Sequence, residues 1–160
     1  MALRAGILGY GLAGRILHAP LIAAAGIEVA AVSTRRADEV RADFPNAAVE
    51  APPEAVISRD DIDLIIVATP SYLHAAHALD AMAAGKHVVI DKPFATSIAE
   101  AETLIAAADK HKRVLCCFQN RRWGRLRFGF ASDRPGARPF RHARLGASRS
   151  CPPASGPDRR

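Results

Sequence analysis

The sequence predicts an α/β fold built on a doubly wound parallel sheet, and three observations carry that expectation. Short apolar runs, Ala5 to Leu8, Leu64 to Val67 and His87 to Ile90, alternate with Ala-rich stretches of helical length. That alternation is the pattern of repeated strand-crossover-strand units. The run Leu64 to Val67 is continuously apolar and β-branched beyond its first residue, as a parallel strand buried on both faces should be. Three short motifs each fall just after one of these runs: Gly9-Tyr10-Gly11-Leu12-Ala13-Gly14, Ala68-Thr69-Pro70-Ser71-Tyr72-Leu73-His74 and Asp91-Lys92-Pro93. Parallel strands would gather all three along one carboxyl edge, where open α/β sheets bind ligands.

Each element can be justified in order. The first strand is Leu3 to Leu8, and a helix opens beside Leu12. Pro20 lacks an N–H and clashes one turn back, so a break is expected near His18, with a second helical piece from Pro20 to Ala25 that Gly26 stops. The second strand is Glu28 to Val32. Ala37 to Asp43 forms a short helix ended by Phe44-Pro45. A weak third strand at Ala47 to Glu50 precedes a short helix that starts at Pro52-Pro53. After the fourth strand, Leu64 to Val67, a helix runs from Tyr72 to Ala84, and Gly85 stands where a left-handed cap is wanted. The fifth strand is His87 to Ile90. Ser97 with Glu100 three residues on makes a capping box for a helix reaching about His111, and the sixth strand is Val114 to Gln119.

Composition divides the chain. A length of 160 residues, 49% of them hydrophobic, suffices for one well-filled core and is short for two. Residues 1–118 carry 11 Lys and Arg against 14 Asp and Glu, whereas residues 119–160 carry 11 Arg and no Lys against 2 Asp. The high isoelectric point therefore belongs to the tail. Residues 124–160 contain no Glu, Lys, Ile or Val and follow no helical or strand period, so they are expected to be disordered, leaving residues 1–123 as the folded domain. Cys116, Cys117 and Cys151 have no metal-binding or redox spacing, and no metal is expected. No stretch approaches the ~20 apolar residues of a membrane span, and no secretory pattern opens the chain. A cytoplasmic protein with reduced thiols is the expectation.

The glycine motif has a physical reading of its own: the first Gly makes a tight turn, the second lets backbone N–H groups approach a phosphate, and the third lets helix pack on strand. Alone it is a weak signal. Its order with A-T-P-x-x-x-H and a carboxylate-Lys-Pro motif resembles the N-terminal half of the Gfo/Idh/MocA oxidoreductases, over roughly Leu3 to Trp123. Members usually carry Glu-Lys-Pro where this chain has Asp91-Lys92-Pro93. The resemblance implies a Rossmann fold and hydride transfer between a nicotinamide cofactor and a secondary hydroxyl or keto group of a sugar, cyclitol or related compound. It stops after Trp123, before the sheet domain that in the family covers the nicotinamide. A tail of this composition beginning there reads as a shift of reading frame. The rival, a basic arm for nucleic acid, has no Lys and few aromatics to support it.

On that footing Gly9, Gly11, Leu12, Ala13 and Gly14 would hold the pyrophosphate. An NAD-selective site places Asp or Glu some 20 residues beyond the glycines; here the chain reads Ser33-Thr34-Arg35-Arg36. Two hydroxyls and two guanidiniums suit a 2′-phosphate, which favours NADP over NAD, although the same residues would also make a solvated basic loop. The resemblance places Thr69 and Pro70 beside the nicotinamide, His74 near the cofactor or as a capping histidine, and Asp91 at the turn or the cofactor. It makes Lys92 the catalytic residue, donating to the reacting oxygen. His18 matches a histidine found before the first helix's proline in the family, and packing explains it equally well. Gln119, Asn120 and Arg121 carry weaker expectations of contact. Two functions stay open: an oxidoreductase with a small-molecule substrate, and a cofactor-binding fragment or sensor without turnover. Association into an oligomer is compatible with both.

Overall fold

The computed structural model describes residues 3–119. The expected disorder of residues 124–160 and the expected contacts of Asn120 and Arg121 lie outside the described residues.

Six strands form one parallel sheet: β1 (Arg4–Leu8), β2 (Glu28–Ser33), β3 (Ala48–Glu50), β4 (Leu64–Val67), β5 (His87–Ile90) and β6 (Leu115–Cys117). Their order in space is β3-β2-β1-β4-β5-β6. The winding reverses between β1 and β4, so the carboxyl ends of these two neighbours flank the point where such sheets open a ligand crevice. Alternation along the strands splits the core in two. Leu8, Ile65, Val67, Val88 and Ile90 face helices α3 (Pro53–Ile57), α4 (His74–Ala83) and α5 (Ile98–His111), against Val56, Ala78, Met82 and Leu104. Ala5, Ile7, Val32 and Ile66 face α1 (Ala19–Ala24) and α2 (Ala37–Asp43), against Ala19, Ile22 and Val40. Among the described residues no helix is long and apolar enough to cross a membrane.

Three details depart from the sequence reading. No break occurs at His18: residues Ala13–His18 form a π-helical turn that runs directly into α1, and His18 and Ala19 both keep right-handed helical dihedrals. The Ala19 N–H donates to the carbonyl of Gly14, five residues back. That wider turn sits immediately ahead of Pro20, where an α-helical carbonyl four residues back would have met the proline ring. The helix after β4 starts as a 3-10 turn, Ser71–Leu73, and becomes α-helical only at His74. The capping box of α5 reaches one residue further than expected: Ser97 Oγ accepts from the Glu100 N–H at 3.2 Å, while Glu100 Oε2 accepts from the Thr96 N–H at 2.8 Å and its hydroxyl at 2.7 Å. Gly85 takes the left-handed conformation expected of it, at φ +78°.

Candidate cofactor and catalytic site

The fold requires two of the three glycines of the first turn, each for its own reason, and leaves the third unexplained. Gly9 leaves β1 at φ +93°, and a Cβ there would stand 2.7 Å from the Ala68 carbonyl oxygen. Gly14 lies so close to the Gly9 carbonyl oxygen that any side chain would overlap it. At Gly11 an added Cβ would meet nothing within 4 Å, and the residue has no positive φ. Folding therefore gives no reason for glycine at position 11. A side chain there would occupy the open space over the turn. Leu12 beside it is 80% exposed and Ala13 half-buried.

Beyond β2 the four residues Ser33 to Arg36 behave differently from one another. Ser33 is buried, and its hydroxyl donates to the Ala51 carbonyl at 3.2 Å. Thr34 Oγ1 accepts the Arg36 backbone N–H at 3.0 Å. Arg35 is exposed and makes no ion pair among the described residues. The Arg36 guanidinium lies 3.7 Å from Glu39. A cleft of about 340 Å³ opens here, lined by Gly11, Leu12, Arg15, Ile16, Arg36 and Glu39. From Arg15 and Glu39 on its wall runs a polar network that the sequence reading missed. Arg15 donates to Asp43 at 2.7 Å and to Glu39 at 2.8 Å, and the Tyr10 hydroxyl donates to Asp43 at 2.9 Å. Arg15 and Tyr10 together hold the Asp43 carboxyl below its ordinary range.

At the end of β4, Thr69 is gripped twice. Its carbonyl oxygen lies 2.8 Å from His74 Nε2, and its hydroxyl pairs with His77 Nδ1 at 3.1 Å. His74 Nδ1 lies 2.9 Å from the Pro93 carbonyl oxygen, and the tautomer of the ring decides which of the two carbonyls receives its N–H. Both ring nitrogens of this buried histidine are thus engaged by backbone, and it staples the Thr69 turn to the Lys92-Pro93 turn. Pro70 is exposed, as is Tyr72. His77 went unremarked in the sequence because it sits in an Ala-rich helix with no local partner. Burial lowers its pKa.

The third motif closes the edge. Asp91 is 8% exposed, and its Oδ1 lies 3.4 Å from Nε2 of His18, which is 3% exposed. Neither atom has a hydrogen-bond partner among the described residues. The His18 ring stacks obliquely on Phe118, with centroids 4.4 Å apart. Burial lowers the His18 pKa, opposed by the nearby Asp91 carboxylate. Lys92 is exposed and makes no ion pair or hydrogen bond among the described residues; the bond to Pro93 is cis. Gln119 donates to Cys117 Sγ at 3.4 Å. Cys116 and Cys117 are free thiols.

A glycine turn with open space over its central residue, cationic side chains at the end of β2 and an unpaired lysine at the end of β5 all share one sheet edge. The chemistry of these donors fits a dinucleotide, with backbone N–H groups at the helix start for a pyrophosphate and guanidiniums for a further anion. Fold and site together define a nucleotide-binding domain of the Rossmann type. The family model described as an oxidoreductase family with an NAD-binding Rossmann fold matches residues 3–118, and the chain belongs to that family, Gfo/Idh/MocA. It is 43% identical over 122 residues to the uncharacterized oxidoreductase YdgJ of Escherichia coli K12, across 76% of this chain and 35% of that protein. It is 42% identical over 122 residues to the scyllo-inositol 2-dehydrogenase (NADP(+)) IolW of Bacillus subtilis 168, across 76% of this chain and 34% of that one. Among solved structures, a mutant of KijD10, a 3-ketoreductase from Actinomadura kijaniata in complex with TDP-benzene and NADP, is similar at a TM-score of 0.63 and 34% identity. That likeness covers 72% of this chain and 38% of the other. The chain spans about a third of the length of the curated relatives it matches.

Proposed function

We propose that this chain is the cofactor-binding part of an oxidoreductase that moves hydride between NADP(H), in preference to NAD(H), and a secondary hydroxyl or keto group of a sugar, cyclitol or related small molecule. The observation that carries the reading is the unpaired Lys92 on the same edge as the open Gly11 turn. The relatives add support: one is named for scyllo-inositol and NADP(+), another for ketoreduction with NADP bound. A cytoplasmic location accords with both.

When bound, the nicotinamide gives or takes hydride at C4. The chain's own residues do the rest. Backbone N–H groups from Gly11 to Gly14 hold the pyrophosphate, each contact contributing on the order of 0.3 to 1 kcal/mol when exposed. Arg35, Arg36 and the Thr34 hydroxyl meet the 2′-phosphate, while Ser33 spends its hydroxyl hydrogen on Ala51 and positions the turn. Thr69 and Pro70 flank the nicotinamide side; His74 and His77 fix Thr69 rather than reach the cofactor. In the reducing direction the Lys92 ammonium donates a proton to the substrate carbonyl oxygen as hydride reaches its carbon, and the neutral amine takes the proton back in oxidation. Asp91 anchors the lysine's turn through its N–H bond to the Val67 carbonyl at 2.9 Å.

Titration by nicotinamide fluorescence tests the cofactor reading. NADPH should bind about ten- to a hundredfold more tightly than NADH, the worth of one charge-assisted contact at ~1.5–3 kcal/mol. Arg35→Ala with Arg36→Ala should abolish most of that ratio. Equal affinities in the parent would make the arginines a solvated loop.

The exposure of Lys92 and Pro70 favours a second reading, a module that binds cofactor without turnover, because hydride transfer needs an oriented site that excludes water. A screen of aldoses, inositols and their keto forms, followed by NADPH absorbance, separates the two. Turnover that vanishes in Lys92→Ala would establish the enzyme; its absence alongside tight NADPH binding would establish the module.

A further inference from the structure

We propose that Glu39, held in place by Arg15, sets how strongly the cleft discriminates between a 2′-phosphorylated and a plain dinucleotide. The inference rests on the reading of Arg35 and Arg36 as 2′-phosphate ligands and adds two residues to it.

The geometry is a chain of unequal ion pairs across one cleft. Glu39 is the carboxylate lining that cleft, together with Arg15 and Arg36. Its neighbour Asp38 is turned to Arg41 at 3.2 Å. Glu39 Oε2 accepts from Arg15 Nη1 at 2.8 Å, whereas Glu39 Oε1 stands 3.7 Å from Arg36 Nη1, too far for a hydrogen bond. Arg15 is itself fixed from the far side, its Nε and Nη2 donating to Asp43 at 2.7 and 3.3 Å. Tyr10 steadies Asp43 in turn. The carboxylate is therefore drawn towards Arg15 and only loosely engaged with Arg36, whose side chain is 61% exposed.

Two consequences follow for an incoming phosphate dianion. Glu39 is a like charge beside the place where Arg36 would meet it, and repulsion between like charges in a partly exposed site opposes binding. Arg15 limits that opposition by compensating Glu39 and by keeping it from closing on Arg36. Arg15 is thus a positioning residue acting through Glu39, and Glu39 is a specificity residue whose charge lowers the preference for the phosphorylated cofactor.

Calorimetric titration of the full chain with adenosine 2′,5′-bisphosphate and with 5′-AMP isolates the 2′-phosphate, and NADPH and NADH give the same comparison by fluorescence. Glu39→Gln should tighten the bisphosphate and NADPH about three- to tenfold and change AMP and NADH by less than about twofold. Arg15→Met should weaken the phosphorylated ligands by about the same factor, and adding Glu39→Gln to Arg15→Met should restore them. Thermal midpoints of each variant show that the fold is retained, and Glu39→Gln alone suffices if Arg15→Met does not fold. If Glu39→Gln leaves the ratio of affinities unchanged while the parent prefers NADPH, the inference is overturned. If Arg15→Met weakens the ligands and Glu39→Gln does not restore them, Arg15 touches the phosphate itself and its positioning role is overturned. Equal parental affinities for NADPH and NADH would instead remove the reading on which the inference stands.

Discussion

The two edges of the sheet treat charge differently: at one Arg4, Arg59 and Lys86 all have partners, and at the other two cations make no ion pair among the described residues. At the amino edge, where β1, β2, β4 and β5 begin, charged groups close on one another. Arg4 pairs with Glu28 and Asp61, its N–H donates to Asp63, and Arg59 holds Asp61 at 2.8 Å. Lys86, almost fully buried, donates to the Arg59 carbonyl at 2.7 Å. These contacts draw the Asp61 carboxyl down to about 2, Arg59 contributing most. At the carboxyl edge Arg15 closes on Glu39 and Asp43 in the same way, whereas among the described residues Lys92 and Arg35 make no ion pair, and the buried His18 and Asp91 face each other without a hydrogen bond. Charges that only hold a fold together can be matched within it. Lys92 and Arg35 are not matched in that way.

Glycine substitutions should break the comparison hardest. Gly14→Ala forces a methyl group into the Gly9 carbonyl and should cost about 1–3 kcal/mol of stability, with cofactor binding lost alongside. Gly11→Ala, which meets nothing, should leave stability within about 0.5 kcal/mol yet weaken NADPH about tenfold or more. Urea midpoints and fluorescence titration on the two variants check both; a loss of stability at Gly11 would mean that the turn, not a ligand, requires that glycine.

The pH response should come next. Burial lowers the pKa values of His18 and His77 below the ordinary 6.5, so the unfolded chain binds protons that the folded one refuses. Their contribution to stability is complete above 6.5 and is lost as pH falls below it, by at most about 1.4 kcal/mol per pH unit for each histidine. His18→Gln should flatten the decline between pH 7.5 and 5.5 in denaturant unfolding. An unchanged slope would mean that His18 does not stay neutral in the fold.

The smallest contrast is between two single cations. Arg4→Ala should lower the thermal midpoint because it removes the partner of Glu28 and one of the two that hold Asp61, whereas Lys92→Ala should leave it unmoved. Equal losses would show that Lys92 is a structural residue after all.

Much of this architecture was readable in the chain itself. The six strands lie where apolar runs stand between turn residues, and Gly85 caps where the helical pattern ends, because such features depend on local periodicity. The three motifs of the site announced themselves in the same way. What stayed hidden depends on partners distant in sequence. Arg15 looks like a solvated helix residue until Asp43, 28 positions away, is folded against it, and His77 gains meaning only from Thr69. In sequence His18 reads equally as packing or as a family position; both its burial and its place opposite Asp91 come from a helix that a proline at position 20 argues against.

That helix holds an unequal count. The five-residue reach from Gly14 to Ala19 inserts one residue more than an α-helical turn requires, which is about 100° of rotation. The glycines ahead of it and the core-facing Ala19 and Ile22 behind it consequently sit in different angular frames on one continuous rod. Shortening the stretch between Gly14 and His18 by a single residue would reconcile the frames and swing one end out of place: either the core would lose Ile22, or the edge would lose His18.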